Sequence, residues 1–204
     1  MVSKTIVITG TSRGIGKALK ERLEEEGHTI ISLNRSDGFD LKRLYDSLEV
    51  GLLKALEEAD IFINNVHYEY VQVKLLRSAF TYWQKQSKVI INMSSTTSDK
   101  SKDGVLGRKI DPKMFDYQIQ KTALDTTAQK LSDLGRCKVV NVRPGWVDTE
   151  ASEYYNPPLG LTKLKTEVIA DAVSYIINQP WEVYIKNISI DSVSYTHLTL
   201  PTKA

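Results

Sequence analysis

The sequence predicts a single α/β domain: a mostly parallel, doubly wound sheet with helices on both faces. Three observations carry that prediction. Short β-branched apolar runs alternate with longer segments of helical periodicity, the order of a βαβ series. A glycine-rich turn at residues 9–16, TGTSRGIG, lies between the first run and the first helix. Two polar, irregular stretches, 96–115 and 148–160, each follow a strand-like run. Ligands of open α/β sheets bind at that end of the strands.

The elements follow in order. KTIVIT (4–9) reads as a buried strand bounded by glycine. In KALKERLEEEG, Ala18, Leu19 and Leu23 fall on one helical face, and Gly27 stands where the helix should stop. HTIISLN is the second strand, LKRLYDSLEVGLLKALEEA a helix and DIFINNV a strand. KLLRSAFTYWQKQ is a helix and KVIINMSS a strand, then DYQIQKTALDTTAQKLSDLG a helix and CKVVNVRPG a strand. LTKLKTEVIADAVSYIIN is the last helix and WEVYIKNISID the last strand.

Composition narrows the function. The chain has 204 residues, 41% of them hydrophobic, and a formal net charge of +2, which gives no reason to expect a nucleic-acid or membrane partner. The one cysteine, Cys137, permits no internal disulfide and no cysteine metal cluster, and its expected role is inert packing. No apolar run reaches membrane-spanning length. The chain enters its first strand after three residues, which leaves no room for a secretory leader, and a cytoplasmic protein is expected. The glycosylation patterns NMS and NIS fall in expected strands and read as chance. VSYTHLTLPT (193–202) resembles the translation of a sequencing adapter. Residues 1–192 are therefore expected to form the domain, and residues 193–204 a non-native tail that carries no function.

The glycine turn is the first candidate site. A strand-to-helix turn aims free backbone N–H groups and the positive end of a helix dipole at one point, which favours a phosphate. Glycine there allows positive φ and close backbone approach.

Five segments in order resemble the short-chain dehydrogenase/reductase family. TGTSRGIG is similar to its TGxxxGxG turn, NNV (64–66) to its NNAG segment, and INMSS to the strand end bearing its serine. Tyr117 and Lys121 fit YxxxK, and RPGWVDT is similar to its PGxxxT segment. Tyr70 and Lys74 also fit YxxxK, but they precede the serine strand and read as the chance pair. The resemblance implies a Rossmann-type fold and hydride transfer between a nicotinamide cofactor and a carbonyl or alcohol carbon.

It also implies roles. Tyr117 is the proton donor, and Lys121, one helical turn on, is expected to lower the phenol's pKa and to hold the nicotinamide ribose. Ser95 stabilises the substrate oxygen; Ser94, Thr96 and Ser98 are near enough in sequence to leave that choice open. Gly10, Ser12, Arg13, Gly14, Ile15 and Gly16 surround the diphosphate. Asn65 and Val66 lie beside the adenosine ribose, Asp40 and Leu41 near the adenine. Pro144, Gly145, Val147 and Thr149 fix the nicotinamide carboxamide. The second strand ends in Asn34 and Arg35, where an NAD enzyme usually has an acid. Arg35 and Arg13 together suit a 2′-phosphate, so NADP(H) is the expected cofactor. The family also implies pairing of two copies, or a tetramer, through the helix before the serine strand and the helix carrying Tyr117.

The sequence departs from the family in four places. His67 replaces the last glycine of NNAG and is expected to be structural or on the surface. The segment after the second strand is short, which leaves only GFD for a third strand. No asparagine occurs between Asn65 and Asn92, where the family carries a fourth catalytic residue; Glu69 or Gln72 falls nearest. The Ser95–Tyr117 interval is long, with room for a substrate loop. Two other readings stand beside a carbonyl reductase: a non-catalytic NADP(H)-binding sensor or partner protein, and a nucleotide-sugar epimerase.

Overall fold

A computed structural model of the chain describes residues 2–42, 45–99, 112–153 and 162–192. The expected tail, most of the stretch between Ser95 and Tyr117, and residues 154–161 lie outside them. Eleven elements make up the frame: β1 (Thr5–Thr9), α1 (Gly14–Glu25), β2 (Thr29–Leu33), α2 (Tyr45–Leu56), β3 (Ile61–Asn64), α3 (Val71–Trp83), β4 (Val89–Met93), α4 (Pro112–Leu131), β5 (Lys138–Pro144), α5 (Thr166–Ile177) and β6 (Asn187–Ile190). Every strand pair is parallel, and the six strands run in the order β2-β1-β3-β4-β5-β6. This is the expected doubly wound sheet.

The continuous apolar runs are explained by burial on both faces. Ile6, Ile8, Ile61, Ile63 and Ile91 pack against Leu19 and Leu23 of α1 and Ile169 and Val173 of α5. Val7, Phe62 and Ile90 face the other way, onto Leu48 and Leu52 of α2, Leu75 and Trp83 of α3 and Leu124 of α4.

Residues GFD form no strand, contrary to the expectation. Residues 35–37 make a single 3-10 turn, Gly38 closes it at φ 91°, and the side chains of Phe39 and Leu41 plug the core beside α2. Burying those two side chains here removes the extended backbone that a further ladder would need. β2 is accordingly an edge strand.

On the α3/α4 face, Asn64, Asn92 and Asn141 stand in register on three adjacent strands. Asn64 Nδ2 donates to Asn92 Oδ1 at 3.0 Å, and Asn92 Nδ2 donates to Asn141 Oδ1 at 3.2 Å. Buried amides need partners, and this ladder pairs the amides across the sheet except for Asn64 Oδ1, which is buried without one. Its upper end lies at the strand tips that carry the site.

Candidate active site

The glycine turn has the conformation that its composition implies. Gly10 and Gly14 take φ of 71° and 55°. A Cβ on Gly16 would lie 1.8 Å from the Gly10 carbonyl oxygen, so the turn closes only with glycine there. Neighbouring strand ends hold it. Asn65 Nδ2 donates to the carbonyls of Thr9 and Gly10 at 2.9 and 3.1 Å. Asn34 Oδ1 accepts the Thr11 N–H at 2.8 Å, and its Nδ2 donates to Thr11 Oγ1 at 3.1 Å. The amide of Asn34 is thus committed to the turn.

Around the turn opens a cleft of about 700 Å³. Of the expected cofactor residues, Gly10, Ser12, Arg13, Gly14, Ile15, Gly16, Asn34, Arg35, Asp40, Leu41, Asn65, Val66 and Thr149 line it. A nicotinamide dinucleotide fits these residues: the turn offers glycine backbone and the N-terminus of α1 to a diphosphate, and Arg35 stands at the end of β2.

Three of the expected residues, Pro144, Gly145 and Val147, are not in the lining of this cleft. Val147 is buried in the core on the α1/α5 face, and its backbone bridges to Leu164. Gly145 donates its N–H to the Ile190 carbonyl, and a Cβ there would lie 1.9 Å from Asp191 Oδ1. Pro144 ends β5, and its carbonyl accepts a long bond of 3.4 Å from Ser95 Oγ. Arg13 lines the cleft with its side chain mostly exposed. It pairs with Glu150, across the cleft, at 2.8 Å.

Ser95, Tyr117 and Lys121 meet at the tips of β4 and β5. Ser95 is close enough to the Tyr117 phenol to favour its ionised form, and its Oγ accepts the Thr97 N–H at 3.2 Å, whereas Ser94 Oγ is buried without a partner and Ser98 binds the Asp125 carboxylate. Lys121 Nζ lies 5.4 Å from the centre of the Tyr117 ring. Burial pushes the Tyr117 phenol up, with Ser95 acting against it. The lowering was expected from Lys121 together with an oxidised nicotinamide, and Lys121 is itself shifted. Full burial pushes Lys121 down to about 7, so near neutrality it carries only part of its charge.

His67 is neither distant nor superficial. It lines the cleft, and its ring meets the Tyr117 ring edge-on at 4.9 Å. Burial pushes it down to about 4, with Lys121 adding to that effect, so the imidazole is neutral at neutral pH. Tyr70, by contrast, is exposed at the start of α3, and Lys74 faces the groove between α2 and α3.

Sequence reasoning missed the groups that brace this centre. Arg143 of β5 pairs with Asp125 of α4 at 3.1 Å and with Asp99 in the turn after Ser95. It also donates to Ser98 Oγ at 2.8 Å, and Ser98 Oγ donates to the Ser95 carbonyl at 2.7 Å. Their signal was a partly buried arginine inside a strand. Cys137 is buried, and its thiol is pushed up to about 12 by burial. Among the described residues, no group of three or more His, Cys, Asp or Glu could hold a metal ion. No described helix is long and apolar enough to cross a membrane.

No family model matches the chain. An uncharacterized oxidoreductase of Staphylococcus aureus is 26% identical over 230 residues, covering 95% of this chain and 99% of its own. An alcohol dehydrogenase of the archaeon Thermococcus sibiricus, solved with 5-hydroxy-NADP, superposes with a TM-score of 0.72 at 20% identity over 95% of this chain and 98% of its own. A 3-ketoacyl-(acyl-carrier-protein) reductase of Brucella melitensis, solved with NADH, gives 0.72 at 18% identity over 92% and 96%. The chain thus has the Rossmann-type fold of these solved dehydrogenases and reductases.

Proposed function

We propose that the protein is an NADP(H)-dependent oxidoreductase that interconverts a small carbonyl compound and its alcohol. The observation that carries this reading is the meeting of Ser95, Tyr117 and Lys121 beside a dinucleotide-sized cleft. The nicotinamide supplies the hydride in reduction and takes it in oxidation. Tyr117 gives its phenolic proton to the substrate oxygen as that oxygen gains charge, and takes it back in the reverse direction. Ser95 donates a hydrogen bond to the same oxygen and keeps the phenol aimed. Lys121, 5.4 Å from the Tyr117 ring centre, in its protonated form favours the tyrosinate left after proton transfer. The glycine turn and the start of α1 hold the diphosphate. Arg35, with no side-chain partner among the described residues, is the group suited to a 2′-phosphate. With this reading go a cytoplasmic setting and assembly into a homodimer or homotetramer.

The test is a panel of aldehydes and ketones mixed with protein and NADPH, followed by the loss of reduced-nicotinamide absorbance. Consumption that depends on one or more carbonyls supports the reading. Tight NADPH binding with no hydride exchange across the panel would select the non-catalytic sensor instead.

A further inference from the structure

Lys121 is held from below by a side chain that sits where the family pattern would put an asparagine. Gln72, 2% exposed, is the second residue of α3. Its Nε2 donates to the Asn64 carbonyl at 2.9 Å and to the Met93 carbonyl at 3.2 Å. Both amide hydrogens are therefore directed to the last residues of β3 and β4. That fixes which end of the amide faces the lysine, because a flip would set oxygen against two carbonyls and NH₂ against an ammonium. The remaining Oε1 accepts from Lys121 Nζ at 2.7 Å, and the Met93 carbonyl accepts from the same Nζ at 2.7 Å. The main-chain carbonyl of Gln72 accepts Asn64 Nδ2 at 2.8 Å, which ties the glutamine into the asparagine ladder.

We propose that Gln72 is the positioning residue for Lys121: its side-chain oxygen fixes Nζ directly against the strand tips and stabilises the ammonium form. This rests on the reading of Tyr117 and Lys121 as the acid–base pair. Gln72 touches no reacting atom; it acts through the lysine.

Electrostatics make this contact count. Burial drives Lys121 down to about 7, with Asp125, one turn on in α4, acting against it. Asp125 is itself shared with Arg143 of β5, which weakens its help. Tyr117 faces Nζ from α4, and His67, from the segment after β3, is neutral near pH 7. Nζ has two acceptors at 2.7 Å, the Gln72 side chain and the Met93 carbonyl, and Gln72 is the one that a side-chain substitution removes. Removing that acceptor favours the neutral amine and lowers the pKa; a carboxylate in its place favours the ammonium and raises it.

The experiment follows the Lys121 titration by NMR in cofactor-free protein labelled at lysine Cε, with the resonance assigned by its loss in Lys121→Arg. In Gln72→Leu the midpoint should fall by about one to two pH units, the size expected for a hydrogen bond to a charged group. In Gln72→Glu it should rise. The alkaline limb of the kcat/KM profile for carbonyl reduction should move the same way in each variant. In the wild type, at low pH, the Lys121 ammonium protons should exchange slowly enough to be seen and should show a nuclear Overhauser contact with the Gln72 side chain; this arm needs no variant to fold. Unmoved midpoints in folded variants, or no such contact in the wild type, would overturn the proposal. If the NMR arm holds while the wild type reduces no carbonyl, Gln72 positions Lys121 as proposed and it is the reading of the reaction that fails.

Discussion

Arg13 and Glu150 form an ion pair of 2.8 Å that joins the two walls of the cofactor cleft, the glycine turn on one side and the segment after β5 on the other. Both side chains are mostly exposed, at 71% and 66%, so the pair contributes little, about 0–1 kcal/mol. A 2′-phosphate would offer Arg13 a charge-assisted partner in exchange. We predict that Glu150→Gln leaves NADH affinity unchanged and tightens NADPH by up to about fivefold. Fluorescence titration of both cofactors measures this. A loss of NADPH affinity would mean that Glu150 holds Arg13 in its productive place.

Arg35 should discriminate more strongly than Arg13. It follows Asn34, whose amide is committed to the glycine turn and which stands where an NAD enzyme usually has an acid. We predict that Arg35→Ala weakens NADPH by about 1.5–3 kcal/mol, the contribution of a hydrogen bond to a charged group, with NADH little changed. Equal losses for the two cofactors in a calorimetric titration would remove the clamp.

These two arginines show how far the sequence could be read. Periodicity placed every helix, and the apolar runs placed every strand, because a sheet buried on both faces has little choice of composition. It failed at GFD, where turn chemistry at Gly38 and two buried side chains, Phe39 and Leu41, overrode a strand. Order along the chain singled out Tyr117, Lys121 and Ser95. Their braces were not legible. Arg13 meets Glu150 and Lys121 meets Gln72 across separations of 137 and 49 residues, and no local pattern records which distant side chain will arrive. The lowering of the Tyr117 pKa was expected from Lys121 and an oxidised nicotinamide together, and the spacing that paired Tyr117 with Lys121 says nothing of how deeply the lysine is buried.

The Arg143 cluster links the serine turn to the helix of Tyr117. Arg143 and Asp125 side chains are only 13% and 18% exposed, so removing one leaves the other poorly compensated. Arg143→Met should destabilise the protein by about 3 kcal/mol, the low end for breaking a buried pair. Asp125→Asn should also destabilise it, and the double variant should cost less than the sum, with a coupling of about 1–3 kcal/mol. Urea unfolding of the four proteins in the cycle measures this, and additive losses would show that the two side chains do not cooperate.

Pairing of two copies through α3 and α4 should leave apolar side chains on those helices uncovered in one chain. Tyr82, Phe115 and Ile119 are such residues, at 40%, 50% and 40% exposure. We predict a dimer mass or larger in sedimentation at micromolar protein, and a shift towards monomer in a Phe115→Glu/Ile119→Glu variant. A wild-type protein that sediments as a monomer would contradict the assembly.

The placement of the chemistry on α4 is tested most directly by two phenylalanine variants measured side by side. The centre of the Tyr117 ring stands 5.4 Å from Lys121 Nζ and its phenol is close to Ser95, while Tyr70 is exposed at the start of α3. Tyr117→Phe removes the phenolic proton and leaves the ring contact with His67 in place. On any carbonyl that the wild type reduces, Tyr117→Phe should keep NADPH binding and lose turnover by about 10²–10⁴-fold, the contribution of a positioned proton donor, while Tyr70→Phe stays near wild type. Full turnover in Tyr117→Phe, or a collapse confined to Tyr70→Phe, would show that the active centre lies on the other helix.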